Sequence, residues 1–193
     1  MRLSHAMGVF VLALAAAGCT QPTGAPSAQP STTDGSATVT TAGTTLVRPR
    51  EVRLDSTDPC GLWTAEQLSQ LGLVAPPRPG TSTAGDAMCS FDLQSLQASS
   101  LNLLTVIDHD VMDVVDTNQG DTRTDIAGFP AFRQSAEPGS VRPCNVLVST
   151  ATGQFLETDL FYGETSGDLS SEQACELTTK AATFAVLTLL GQQ

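Results

Sequence analysis

Alternating apolar and polar residues predict several short strands from residue 89 onwards. The segments with this pattern are residues 89–93, 101–107, 145–150 and 154–162. The last two flank Thr152-Gly153, a turn sequence, and therefore predict a hairpin. Residues 127–133 also predict a strand, and Pro130 favours an edge position because proline cannot donate a ladder hydrogen bond.

Two segments carry a helical pattern together with a start signal. Thr64 and Gln67 form a capping-box sequence that predicts a short helix, and Gly72 ends it. Ser170 and Gln173 form a second capping box, which opens a helix to about residue 190. The second half of that helix is apolar nearly all round, which predicts burial against the strands.

The remaining segments are less regular. Residues 76–80 hold three prolines and a glycine, which predict a loop. Ile107, Val111, Val114 and Val115 have the spacing of one helical face, with aspartates on the other. Strands flanked by terminal helices predict an α+β fold, a mostly antiparallel sheet with a short N-terminal helix and a C-terminal helix on one face.

The N-terminus has the pattern of a lipoprotein signal. Arg2 precedes an apolar stretch over residues 6–17, too short for a membrane-spanning helix, and Ala17-Gly18-Cys19 follows it. We therefore expect a signal peptide at residues 1–18, acyl chains on Cys19, and a protein anchored at the extracytoplasmic face of the cell membrane. The alternative is ordinary cleavage near Ala17, which would release a free secreted protein.

Composition separates a tether from a domain. Residues 19–52 are rich in Thr, Ser, Pro, Ala and Gly and nearly free of large apolar side chains before residue 46. Such a segment cannot bury enough surface to offset its ordering entropy, which predicts a disordered tether. Residues 53–193 have a suitable length for a single globular domain with its own core.

The net charge and the number of cysteines further limit the kinds of protein that this chain can be. The net charge of −11 argues against nucleic-acid binding, which needs a basic surface. Four cysteines remain besides Cys19, and an even number in an exported chain predicts two disulfides among three pairings. Nearest neighbours along the chain favour Cys60–Cys89 and Cys144–Cys175. A metal site is the alternative, but the chain has no CxxC spacing and only two histidines.

The sequence matches catalytic and calcium-binding patterns only in part. Cleavage would leave His109 as the sole histidine, and without a GxSxG elbow we expect it to be an exposed polar residue. Asp116 begins an acidic stretch that resembles a calcium loop, but Asp121 and Ala127 occupy the positions that require glycine and glutamate. Trp63, beside Cys60, is expected in the core rather than in a ligand site. We therefore predict no catalytic residue, no metal and no cofactor.

Short motifs in a fixed order carry a family resemblance over roughly residues 55 to 190. They are Asp58-Pro59-Cys60-Gly61-Leu62, Thr64-Ala65-Glu66-Gln67-Leu68, Leu71-Gly72-Leu73, Cys89-Ser90-Phe91, Ile126-Ala127-Gly128-Phe129-Pro130-Ala131, Cys144-x-Val146-x-Val148 and Cys175-x-x-Thr178. Together they resemble the actinobacterial lipoprotein family called domain of unknown function 3558 (DUF3558). Phe129 stands where that family often has a basic or polar residue. The resemblance implies a cell-envelope lipoprotein without an assigned enzymatic activity.

Three functions follow as hypotheses. The first is a non-catalytic binding module for an envelope protein or glycan, held at the membrane by its anchor. The second is a carrier of a lipid-like ligand between the sheet and the last helix, which would need a continuous apolar cavity above roughly 300 Å³. The third is an envelope hydrolase that uses carboxylates, which would need two acids in one cleft.

Overall fold

The fold was analysed in a computed structural model. It describes residues 46–96, 98–116, 121–137, 139–163 and 169–192, apart from the side chain of residue 75. The predicted signal peptide, Cys19 and residues 20–45 of the predicted tether lie outside this range. Residues 117–120 of the acidic stretch also lie outside it.

Within the described residues, seven strands form one sheet in the order β1-β2-β3-β7-β6-β5-β4, and all neighbouring strands are antiparallel. The strands are β1 (Leu73–Thr81), β2 (Ala87–Leu93), β3 (Ser100–Val106), β4 (Thr122–Ile126), β5 (Phe129–Ser135), β6 (Cys144–Ala151) and β7 (Gln154–Phe161). The helices are α1 (Ala65–Gln70) and α2 (Ser171–Gly191). None of the described helices has the length and hydrophobicity to cross a membrane.

The predicted α+β fold is confirmed. Both predicted capping boxes form, at Thr64 for α1 and at Ser170 for α2. Helix α2 packs across one face of the sheet, mainly on β6 and β7, and its small side chains at Ala181, Ala182 and Ala185 are fully buried there. These alanines allow the helix to approach the sheet closely, so one face of the sheet is covered.

Trp63 lies in the core, as predicted. It is 4% exposed, and its ring centroid lies 4.8 Å from that of Phe91 on β2. Its indole Nε1 donates a hydrogen bond to the carbonyl oxygen of Ala181 at 2.9 Å. The tryptophan thereby connects the segment before α1 to both the sheet and α2.

The two predicted disulfides are also confirmed. Cys60–Cys89 joins the 3₁₀ turn at Pro59–Gly61 to β2, and Cys144–Cys175 joins β6 to α2. The bridges close loops with sequence separations of 29 and 31 residues. A closed loop of that length stabilises a fold by roughly 3–4 kcal/mol in the chain-entropy model.

Residues before position 53 also contact the sheet. The amide of Val52 donates to the carbonyl of Thr150 at 2.8 Å, and the Arg48 guanidinium donates to the Ser149 hydroxyl. Leu46 packs against a small apolar cluster on the face of the sheet opposite α2, formed by Val106, Val111, Phe132, Leu147 and Phe155. The part of the chain packed on the sheet therefore begins several residues before the expected start of the domain.

The predicted loop at residues 76–80 is wrong, because these residues belong to strand β1. β1 is an edge strand that pairs only with β2, and its register shifts between Val74 and Arg78, around the first two prolines. An edge strand needs hydrogen bonds on one side only, so prolines are tolerated there.

The predicted edge position for residues 127–133 is wrong as well. β5 lies between β6 and an edge strand, β4, that the sequence pattern did not predict. Ala127 and Gly128, with φ of 52° and 86°, form a two-residue turn between β4 and β5. Pro130 pairs with Asp125 at a position that needs no amide donor from proline.

The predicted helical face at residues 107–115 is absent. The described residues form only a 3₁₀ turn at Val111–Asp113, capped by Asp110. Val111 is buried, whereas Ile107 and Val114 are each 45% exposed. Asp110 has extended backbone angles, φ −80° and ψ 145°, and its side chain caps the turn that follows, so a helix cannot run from Ile107 through this position.

Candidate functional site

The face of the sheet opposite α2 carries a row of polar side chains. Leu101 and Leu103 belong to the same core cluster as α2, so Asn102 between them lies on the opposite face. The strand registers place five further polar residues in line with it across the sheet, one on each of strands β1, β2, β7, β6 and β5. In spatial order the row is Arg78, Ser90, Asn102, Asp159, Asn145 and Gln134.

Asp159 is the buried centre of this polar row. It is 1% exposed, and Asn102 Nδ2 donates to its Oδ1 at 2.6 Å. Arg142 Nη1, from the segment before β6, lies 3.7 Å from its Oδ2. Burial raises the pKa of Asp159, while the hydrogen bond from Asn102 and the charge of Arg142 oppose that rise. The carboxylate is therefore held in place from two sides.

Glu157 lies two residues before Asp159 on β7, on the same face of the sheet. Its side chain is half-buried, and its Oε1 accepts a hydrogen bond from Asn145 Nδ2 at 3.3 Å. Burial raises its pKa to about 7, and the charge of Asp159 acts in the same direction. A carboxyl group with this pKa exchanges its proton near neutral pH, which makes it a candidate functional group.

These two carboxyl groups line a surface pocket of about 290 Å³. Its other walls include Met88, Leu104 and Arg142, and the β1–β2 hairpin turn contributes Asp86. The turn is held closed, since the Ser82 hydroxyl donates to Asp86 Oδ2 at 2.8 Å. We call this site the Glu157 pocket. It combines three carboxyl groups with one guanidinium.

A second pocket of about 320 Å³ is also lined by the β1–β2 hairpin turn. Asp55, Asp86 and Asp108 contribute to its lining. The ion pair with Arg53, with Nε to Oδ2 at 2.8 Å, lowers the pKa of the exposed Asp55 to about 2. Its carboxylate is therefore charged and already paired, which makes this pocket the weaker candidate.

The histidine and the acidic stretch singled out in the sequence lie outside the Glu157 pocket. The side chain of His109 is 55% exposed, and its Nδ1 lies 2.6 Å from Asp108 Oδ1. The Asp121 carboxylate accepts hydrogen bonds from the Asp116 amide and from Gln134 Nε2. Among the described residues, no group of three or more His, Cys, Asp or Glu side chains is arranged to hold a metal ion.

The Glu157 pocket was not predicted, although the sequence contains a signal for it. Residues 155–161 read Phe-Leu-Glu-Thr-Asp-Leu-Phe, so two acids alternate within a predicted strand that is otherwise apolar. Alternation places both acids on one face of that strand. Their convergence with Arg142 and the β1–β2 hairpin depends on tertiary structure.

The fold and the site define a small two-disulfide α+β domain with one sheet face covered by a helix and a polar, acidic pocket on the other. A family model described as a protein of unknown function (DUF3558) matches residues 14–188. The chain therefore belongs to the DUF3558 family. Comparisons with curated proteins and with solved structures gave no match.

Proposed function

We propose that this protein is an actinobacterial cell-envelope lipoprotein, anchored through Cys19, whose domain binds an envelope protein or glycan in the Glu157 pocket. The observation that carries the proposal is the half-buried carboxyl group of Glu157, with a pKa of about 7, in an open pocket of about 290 Å³. A polar group placed in this way is unfavourable for folding alone. A ligand that donates hydrogen bonds to it would compensate for its burial.

Two features support an extracytoplasmic, lipid-anchored protein. Two disulfides are formed, and such bridges persist in oxidising compartments. The short apolar segment before Cys19 has the length and flanks of a lipoprotein signal. Exchange of Cys19 for alanine should release the full chain from membranes into the medium or the soluble fraction. Continued sedimentation with membranes would contradict the anchor.

Charge indicates the chemistry of the bound group. The Glu157 pocket holds Asp86, Glu157 and Asp159 against the single guanidinium of Arg142. Asp159 is buried and bound by both Asn102 and Arg142. Glu157 and Asp86 each accept one hydrogen bond, at Oε1 and Oδ2, so their other oxygens remain to face a ligand. An ammonium or hydroxyl group would donate hydrogen bonds to them, whereas a phosphate would be repelled.

A binding role fits the geometry better than hydrolysis. Glu157 has the pKa of a general acid, which favours hydrolysis as a second candidate. A glycoside hydrolase needs a second carboxyl group that reaches the substrate. Asp159 is 1% exposed and hydrogen-bonded within the sheet, so it cannot serve as that partner without rearrangement. Asp86 is the other carboxyl group that lines the pocket, and its Oδ2 is already bound by the Ser82 hydroxyl within the hairpin turn.

The lipid-carrier hypothesis has no support from the described residues. The space between α2 and the sheet is filled by buried side chains, including Phe91, Leu103, Leu156 and Val186. Both pockets described above involve the β1–β2 hairpin turn and have charged linings.

Site-specific photo-crosslinking in intact cells tests the binding role. A photoreactive residue at Thr83, on the rim of the Glu157 pocket, is compared with one at Ser69 on α1; both positions are exposed. We expect a discrete protein or glycan adduct from position 83 only, weakened at least severalfold by Glu157→Gln. No adduct from position 83, or the same adduct from both positions, would contradict the proposal. An adduct found only as cleaved glycan, with cleavage lost in Glu157→Gln, would favour the hydrolase.

A further inference from the structure

We infer that the protein forms a two-fold symmetric dimer through strand β4, which pairs with β4 of a second copy. β4 is an edge strand, and the side chains at its first four positions are exposed. Unpaired edges offer free backbone donors and acceptors to another strand. The inference concerns a different surface from the Glu157 pocket and does not depend on it.

The two edges of the sheet differ in their ability to pair. β1 contains three prolines at positions 76, 77 and 79, each without an amide donor. Its register shift further distorts that edge. β4 reads Thr-Arg-Thr-Asp-Ile and contains no proline. Among the described residues, prolines therefore limit pairing along one edge of the sheet, whereas the backbone of β4 contains no proline and faces no further strand.

Backbone geometry decides which β4 residues face outwards. Ile126 and Phe129 flank the two-residue turn, and such a pair exchanges hydrogen bonds within the hairpin. Because pairs alternate, Thr124 is also bonded to β5, whereas Arg123 and Asp125 direct their amides and carbonyls away from it. A second strand would therefore bond to residues 123 and 125.

The side chains of these two residues select one register. With the two-fold axis at Thr124, each Arg123 lies opposite Asp125 of the other copy, and both charge pairs are attractive. An axis at residue 123 or 125 would place like charges opposite each other. An axis at Thr122 would use Asp121, which already accepts hydrogen bonds from Asp116 and Gln134. Asp125 Oδ1 accepts a hydrogen bond from the Gly128 amide, and its Oδ2 has no hydrogen bond from the part of the chain that the structure describes.

The proposed dimer would join two seven-stranded sheets into one continuous sheet. A single five-residue strand pair buries much less than the roughly 1,200–2,000 Å² of a stable interface. We therefore expect the dimer to dissociate at low concentration, so a covalent crosslink is needed to detect it.

Cysteine crosslinking of the full chain tests both the contact and its register. At the two-fold axis, residue 124 faces itself in a non-hydrogen-bonded pair about 4.5 Å apart at Cα, which suits a disulfide. Residue 122 would lie roughly 13 Å from its own copy, four strand positions away. Thr124→Cys should therefore give a disulfide-linked dimer on mild oxidation, whereas the matched Thr122→Cys variant should not. The chain without either substitution is the control for a disulfide formed through Cys19.

Charge exchange then separates specific pairing from collision. In the Thr124→Cys background, Arg123→Asp alone or Asp125→Arg alone should lower the dimer yield about tenfold, because both symmetric pairs become repulsive. The variant that carries both Arg123→Asp and Asp125→Arg, the double exchange, should restore the dimer yield, although it loses the hydrogen bond between Asp125 and the Gly128 amide. Any one of four results would overturn the inference. Two concern position: Thr124→Cys gives no dimer, or Thr122→Cys gives as much dimer as Thr124→Cys. The others are a double exchange that does not restore the dimer yield, and a disulfide from residue 124 to a different protein. Unchanged Trp63 fluorescence confirms that the variants are folded.

Discussion

Replacement of Glu157 by glutamine should remove most of the pH dependence of stability between pH 5 and 8. Glutamine preserves the size of the side chain and can still accept the hydrogen bond from Asn145 through its amide oxygen. It cannot ionise, so it removes both the burial of a charge and the repulsion with Asp159. The substitution therefore isolates the electrostatic contribution of one carboxyl group.

The magnitude follows from linkage. Burial and Asp159 raise the pKa of Glu157 from 4.5 to about 7, which corresponds to about 3 kcal/mol. The folded protein binds this proton more tightly than the unfolded chain. This contribution is therefore fully present below pH 4.5 and is lost as the pH rises through 7. The raised pKa of Asp159 acts in the same direction.

Urea unfolding followed by the fluorescence of the single tryptophan measures this effect, with the disulfides intact. The parent should lose about 2.5 kcal/mol of unfolding free energy between pH 5 and 8.5, since part of the contribution is already lost at pH 5, and Glu157→Gln should lose much less. At pH 5 the two proteins should be nearly equal. Glu176→Gln, a matched change at an exposed position on α2, serves as the control. A parent without this pH dependence, or a Glu157→Gln variant that keeps it, would refute the reasoning.

Three further predictions concern stability. Trp63→Phe should lower the unfolding free energy by roughly 1–3 kcal/mol in urea titrations followed by circular dichroism, because the Ala181 carbonyl loses its donor; an unchanged midpoint would contradict this. Ala127→Asn should raise the thermal midpoint, with a gain of up to about 1 kcal/mol, because asparagine tolerates the positive φ of this turn; a lower midpoint would be inconsistent. Exchange of both Cys60 and Cys89 for serine should destabilise by roughly 3–4 kcal/mol, and a loss below 1 kcal/mol would argue against a structural bridge.

Local signals predicted the helices and the hairpin well, because their determinants lie close together in sequence. The Ser170 capping box and the alternation through β6 and β7 are complete within a few residues. The proline-rich β1 was misassigned for the opposite reason. Its strand conformation depends on pairing with β2, and its tolerance of proline depends on its edge position.

Strand β4 was missed because its pattern resembles a polar loop. Four of its five side chains are exposed, so only the backbone pairing with β5 identifies it as a strand. Because β4 was not predicted, the strand that contains Pro130 was wrongly placed at the edge of the sheet. Proline excludes one donor at one position, but it does not determine how many strands lie beyond it.

The candidate site was less predictable than the fold. Alternation places Glu157 and Asp159 on one face, but sequence alone does not show that this face is half-buried. Arg142 reaches Asp159 from another segment, and Asp86 reaches the same pocket from a third. A rise in pKa depends on such three-dimensional surroundings, so it cannot be derived from spacing along the chain.

The two faces of the central strand, β7, differ in how well their side chains suit folding alone. Toward α2, β7 presents Leu156, Thr158 and Leu160, a tightly packed set in which the Thr158 hydroxyl bonds to the Thr178 carbonyl. On the opposite face, stability alone would favour apolar residues in place of Glu157 and Asp159, because burying ionisable groups is unfavourable. Unfavourable residues that persist beside an open pocket are typical of functional sites. Destabilisation by Glu157 at neutral pH would therefore show that this side chain is not explained by folding, which is what the proposed binding role at this face requires.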